Sequence, residues 1–118
     1  MLKVTVRREQ WFRGRGPDLS MLRQKKKRNP MMCCLGFAML EAGYEASSIA
    51  GQPSPAEVML NSRIRQSIKK LLNTSHGNSN VCSELMHAND NQSLEEKERE
   101  DQLQRLGREA GIEFIFVD

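Results

Sequence analysis

Met31-Met-Cys-Cys-Leu-Gly-Phe-Ala-Met-Leu-Glu-Ala-Gly43 is the longest apolar run in a chain that is otherwise charged, polar or rich in turn residues. A bilayer span needs about 20 apolar residues, so this run is too short to cross one. At helical period Leu35, Met39 and Ala42 fall on one stripe, broadened by Phe37 and Leu40. The spacing predicts a buried central helix, with Gly43 as its left-handed C-cap.

On the N-terminal side, Ser20–Arg23 and Pro30–Cys33 flank Gln24-Lys-Lys-Lys-Arg-Asn29, which suggests a hairpin with a basic tip. Such a tip is solvated in the ordinary case, and an anion contact is the alternative. Before it, Trp11-Phe-Arg-Gly-Arg-Gly-Pro17 has the composition of an irregular loop. Trp11 and Phe12 are either core side chains or a stacking platform beside Arg13 and Arg15. Leu2–Arg7 alternates with period two and predicts a half-buried strand.

On the C-terminal side, one helical turn is expected at Ala46–Ala50. A capped helix is expected from Ser54 through Leu72, then a loop over Asn73–Asn80. Val81, Leu85 and Met86 mark a short helix that gives way at Asn89-Asp-Asn91. Ser93-Leu-Glu-Glu96 has capping-box spacing, and the helix it opens runs to about Ala110 on a thin apolar stripe of Leu103, Leu106 and Ala110. Gly111 ends that helix, and Ile112–Val117 has strand character. The pattern predicts one α+β domain over 1–118. Its N- and C-terminal strands share a small sheet that brings the termini together, packed with the central helix and a C-terminal amphipathic helix.

A core this small makes a homo-oligomer a reasonable expectation. No apolar segment follows Met1 as in a secretory signal, and three cysteines, two of them adjacent, form no disulfide framework. A reducing, cytoplasmic setting fits, with no membrane association. The net charge of +3 conceals an asymmetry: residues 1–30 carry +8, residues 31–83 carry +1, and residues 84–118 carry −6. One part attracts anions and another repels them unless folding or assembly mixes the two.

Catalytic motifs are missing. The cysteines with His76 and His87 lack the Cys-x-x-Cys spacing of a zinc site. Cys34 sits in the most apolar segment, where a thiolate is disfavoured. No nucleophile elbow, Walker loop or dinucleotide fingerprint is present. This argues for binding rather than catalysis, without metal or cofactor. The anion-attracting residues are Arg13, Arg15, Arg23, Lys25–Arg28, Arg105 and Arg108. Asn89, Asp90 and Asn91 stand before a helix N-terminus, where phosphate or ribose could be held. The competing reading makes Asn89–Asn91 a plain turn and pairs Arg105 and Arg108 with Asp101 or Glu109.

Trp11-x-Arg-Gly14, Ser20-x-Leu-Arg23, Met32-Cys-Cys-Leu-Gly-Phe37, Pro55-x-Glu57, Asn89-Asp90 and Gly111-Ile-Glu-Phe-x-Phe-Val-Asp118 resemble a family of small phage proteins, over nearly the whole length. That family resembles in turn the Thoeris anti-defence sponges. These sequester cyclic ADP-ribose isomers and, in some members, cyclic oligonucleotides of the CBASS type. The resemblance implies binding without cleavage, between subunits of a dimer or a trimer of dimers. It implies phosphate contacts on Arg105 or Arg108 and on Asn89 or Asn91. No aromatic stands ahead of the Asn pair, where Val81–Met86 lies, so base stacking is either lost or passes to Trp11 or Phe12 of a neighbouring subunit. Two rivals remain: a regulator that binds nucleic acid through residues 1–30, and an inhibitor that docks on a host protein through Glu95–Asp101.

Overall fold

Strand β1 (Leu2–Arg7) buries Val4 and Val6 and exposes Lys3, Thr5 and Arg7, as its alternation predicts. The structure, a computed structural model, describes residues 2–13, 21–25, 28–52 and 81–118, the side chains of 81–83 excepted. β1 pairs in parallel with β2 (Ile112–Val117), Leu2 opposite Ile112 and Arg7 opposite Val117. The terminal strands therefore share a sheet, but the expectation that this unites the termini is corrected. Parallel register puts Leu2 beside Ile112 at one end, while Asp118 meets Arg8 at the other. A six-residue strand at about 3.3 Å per residue separates those ends by roughly 20 Å.

Two strands alone are marginal in water, so helices must cover them. The central run divides. Met31–Cys33 is extended, and α1 (Cys34–Ala42) begins only afterwards. Gly43 closes α1 at φ 107°, the predicted left-handed cap. Cys34 through Met39 are buried on every side, so the single stripe expected from period is replaced by all-round burial against several neighbours.

The extended part is held from both flanks. Phe12 N–H donates to the Met32 carbonyl (2.7 Å) and Met32 N–H to that of Gln10 (2.8 Å). On the other side Gln24 N–H donates to the Met31 carbonyl (2.9 Å) and Cys33 N–H to that of Met21 (3.0 Å). These last bonds close the predicted hairpin, and Lys25 and Arg28 at its tip are exposed. α1 packs on its arm so closely that a Cβ on Gly36 would lie 1.8 Å from the Leu22 carbonyl oxygen.

A single turn, α2 (Ala46–Ile49), buries Ile49 against the same core. Next among the described residues come α3 (Val81–Asp90) and α4 (Glu96–Glu109). α1 lies on β1, α4 on β2, and α3 between the two helices. α4 starts at Glu96 without a side-chain cap, so the capping box predicted at Ser93 is corrected. The Ser93 hydroxyl donates instead to Asn91 Oδ1 (2.6 Å), a nearer acceptor. The buried face of α4 is Arg99, Leu103, Leu106 and Gly107. The helix predicted over Ser54–Leu72, the loop over 73–80, Arg15 and His76 lie outside the described residues.

Candidate functional site

The 3-10 turn Arg8–Gln10 ends β1 and delivers Trp11 into the core, 1% exposed. Buried indoles need an acceptor. Trp11 Nε1 donates to Asn89 Oδ1 (2.7 Å), and the same oxygen accepts the Cys34 backbone N–H (3.1 Å). Asn89 Nδ2 donates to the Phe12 carbonyl (2.9 Å) and to Asp90 Oδ1 (2.9 Å). Both donors facing Oδ1 can only donate and the Phe12 carbonyl can only accept, so the amide has one possible orientation. Asn89 thus caps α1 from α3 and fastens it to residues 11–12.

This placement corrects two expectations. Asn89, 0% exposed, has its amide committed within the protein and presents no surface to a ligand. Trp11 packs on Phe116 with ring centroids 4.8 Å apart, so the core reading holds for it and the base-stacking one does not. Phe12 is half-buried beside it. Asn91 is committed to its turn: Oδ1 accepts from Ser93 N–H (3.0 Å) and hydroxyl, while its carbonyl accepts from Arg99 Nη2 (2.6 Å).

Charge gathers where this knot meets the start of α4. The Arg13 guanidinium lies 4.3 Å from the Trp11 ring centroid, a cation–π contact, and Arg13 Nε is 3.3 Å from Glu96 Oε2. The other oxygen of Glu96 is 3.7 Å from Arg99 Nη1. One half-exposed carboxylate therefore serves two guanidinium groups, and Arg99 is itself 6% exposed. The sequence reading missed Arg99. It stands four and seven residues before Leu103 and Leu106, in register with the buried stripe, and that spacing was the available signal.

The remaining candidates lie apart. Arg23 is half-buried, with Nη1 donating to Met32 Sδ (3.4 Å). Arg105 lines an open groove of about 310 Å³ along α4 with Leu94, Glu98, Asp101 and Gln102. Arg108 is exposed in the last helical turn, about 13 Å along the axis from Arg99. Among the described residues neither arginine has an ion pair within 4 Å, so the pairing with Asp101 or Glu109 that the competing reading called for is not formed. The structure thus brings Trp11, Phe12, Arg13, Asn89 and Asn91 together and leaves Arg23, Arg105 and Arg108 elsewhere.

Cys33 and Cys34 are buried, as expected for small apolar packers. Burial pushes the Cys33 thiol up to about 12, which holds it protonated at neutral pH. Among the described residues no cluster of three metal-ligating side chains occurs, and no helix is long and apolar enough to cross a membrane. No protein-family model matches the chain, and neither a curated protein nor a solved structure matches it.

Proposed function

We propose that this protein binds and sequesters a cyclic nucleotide signal, a cyclic ADP-ribose isomer or a cyclic oligonucleotide, without cleaving it. On this reading it is a homo-oligomeric phage anti-defence protein of the host cytoplasm. Two guanidinium groups sharing one loosely held carboxylate beside a helix N-terminus carry the proposal. Arginine forks suit phosphate, and a helix start favours negative charge. The sponge resemblance supports the same ligand class. Trp11 and Asn89 are buried, so the reading relies on Arg13 and Arg99, with Phe12 as the half-buried ring beside them.

The test is to mix the protein with cyclic ADP-ribose isomers and cyclic trinucleotides, remove it by filtration, and release any bound ligand by heating. Depletion followed by recovery of intact nucleotide is expected. If no nucleotide in the panel is depleted, the reading falls. A nucleic-acid regulator is the second reading, favoured by the exposed Lys3, Arg7, Lys25 and Arg28. It requires a gel shift at low salt that weakens steeply as salt is added.

A further inference from the structure

We propose that the Arg13–Arg99 pair at the start of α4 is a phosphate site, with Glu96 as a displaceable internal counter-ion. This deepens the nucleotide reading by naming the group of the ligand that is held and what it must displace. It begins from an imbalance in the core. A guanidinium carries five N–H donors and is costly to bury unless an anion and acceptors meet it. Arg99 is 94% buried, yet among the described residues it makes one side-chain hydrogen bond, from Nη2 to the Asn91 carbonyl. Among the described residues its Nε is buried without a hydrogen-bond partner, and the carboxylate oxygen it pairs with is 3.7 Å away, beyond hydrogen-bond length.

Glu96 is the only carboxylate in an ion pair with either guanidinium among the described residues, and it is divided between them at 3.3 and 3.7 Å. Its side chain is 57% exposed, so it can swing into water at little cost. A phosphate offers more oxygens than a carboxylate and can approach both guanidiniums at charge-assisted distance. It would also lie at the uncapped start of a 14-residue helix, where backbone N–H groups point outward. Three acidic groups oppose it: Asp90, which accepts from Asn89, exposed Glu95 just before α4, and exposed Glu98 in its first turn. Salt and water screen the two exposed ones strongly, while the buried Arg99 is screened much less.

Calorimetric titration with inorganic pyrophosphate, at fixed low ionic strength, separates this from a general charge effect. Wild-type protein is expected to bind. Glu96→Gln removes the competing counter-ion and should bind roughly fivefold tighter, whereas Glu98→Gln, the same charge change in the same turn, should gain less than twofold. Arg99→Gln should abolish binding. Because Arg99 is buried, Arg13→Gln with an unchanged melting curve is the companion variant, and it should weaken binding. Equal gains from Glu96→Gln and Glu98→Gln overturn the site, as does a failure of both wild type and Glu96→Gln to bind at millimolar pyrophosphate. Failure here with nucleotide depletion intact leaves the proposed function standing with its phosphate held elsewhere. Success here without depletion sinks the nucleotide reading alone.

Discussion

Asn89 does the work for which a ligand contact was expected of it. Its amide joins three segments that are far apart in sequence, and the bonds it accepts from Trp11 and Cys34 are buried. Replacing it with Ala strands the Trp11 indole N–H, the Cys34 amide and the Phe12 carbonyl. An unsatisfied buried group costs about 1–3 kcal/mol, so Asn89→Ala should lose roughly 3–5 kcal/mol in a denaturant titration. A loss under about 1 kcal/mol would mean that water replaces the amide. Cys33 sets a pH limit. In the unfolded chain the thiol ionises near its ordinary value of 9.0, while in the fold it stays neutral to about 12. The native state then holds the extra proton, so stability is complete below pH 9 and should fall as pH rises from 9 toward 12. Cys33→Ser or Cys33→Ala should flatten that alkaline decline, measured as melting temperature against pH.

At the scale of elements, two glycines decide how closely helix meets backbone. Gly36→Ala would drive a methyl into the Leu22 carbonyl at 1.8 Å, whereas Gly107→Ala meets the Phe114 ring at 2.7 Å and the Ile112 carbonyl at 2.8 Å. Overpacking costs about 1–3 kcal/mol, partly offset by the ~1 kcal/mol that Ala gains over Gly in a helix. Gly36→Ala should therefore be the more destabilising of the two, by thermal denaturation. The helices and strands were legible because their apolar spacing is periodic, and Gly43 marked its own cap. Strand orientation was not, since a period-two pattern is the same in parallel and antiparallel pairs. Nor was the true start of α4, where Asn91 took the Ser93 hydroxyl. The site is half legible: Trp11, Arg13 and the Asn pair stand out by residue type, but a partner-dependent property such as burial of Asn89 does not show there.

α4 also carries an order of charges that bears on assembly. Glu98, Asp101, Arg105 and Arg108 recur at spacings of three, four and three, and among the described residues none has an ion pair within 4 Å. Two copies meeting antiparallel along this stripe would set Glu98 opposite Arg108 and Asp101 opposite Arg105, twice over. Exposed pairs give about 0.2–1 kcal/mol each, so any such dimer is weak and salt-sensitive. Sedimentation at low salt should show association that Glu98→Arg or Arg108→Glu weakens and the double exchange restores. An unrestored double variant rejects the register.

Across the whole molecule, folding mixes the charges that the sequence keeps apart. Arg8 of the basic N-terminal part grips Glu100 through two N–H groups (2.8 and 2.9 Å) and Asp118 through a third (2.8 Å). Those carboxylates hold its guanidinium even more firmly protonated than usual. Arg13 reaches Glu96 in the same sense. The anion-attracting half is thereby partly neutralised from within, and the binding expected of Arg13 and Arg99 must be local rather than a field of the whole surface. Pyrophosphate affinity should accordingly fall only modestly between low and physiological salt, whereas a surface built for nucleic acid would lose several orders of magnitude.

The parallel pairing of Leu2 with Ile112 has a kinetic consequence. β1 is synthesised well ahead of β2, for Leu2 and its partner Ile112 lie 110 residues apart in the chain. Loop-closure entropy must be met before that contact returns anything, which favours slow folding. Val4 and Val6 stay uncovered by β2 until it has been made, so the nascent chain carries an aggregation-prone edge over that interval.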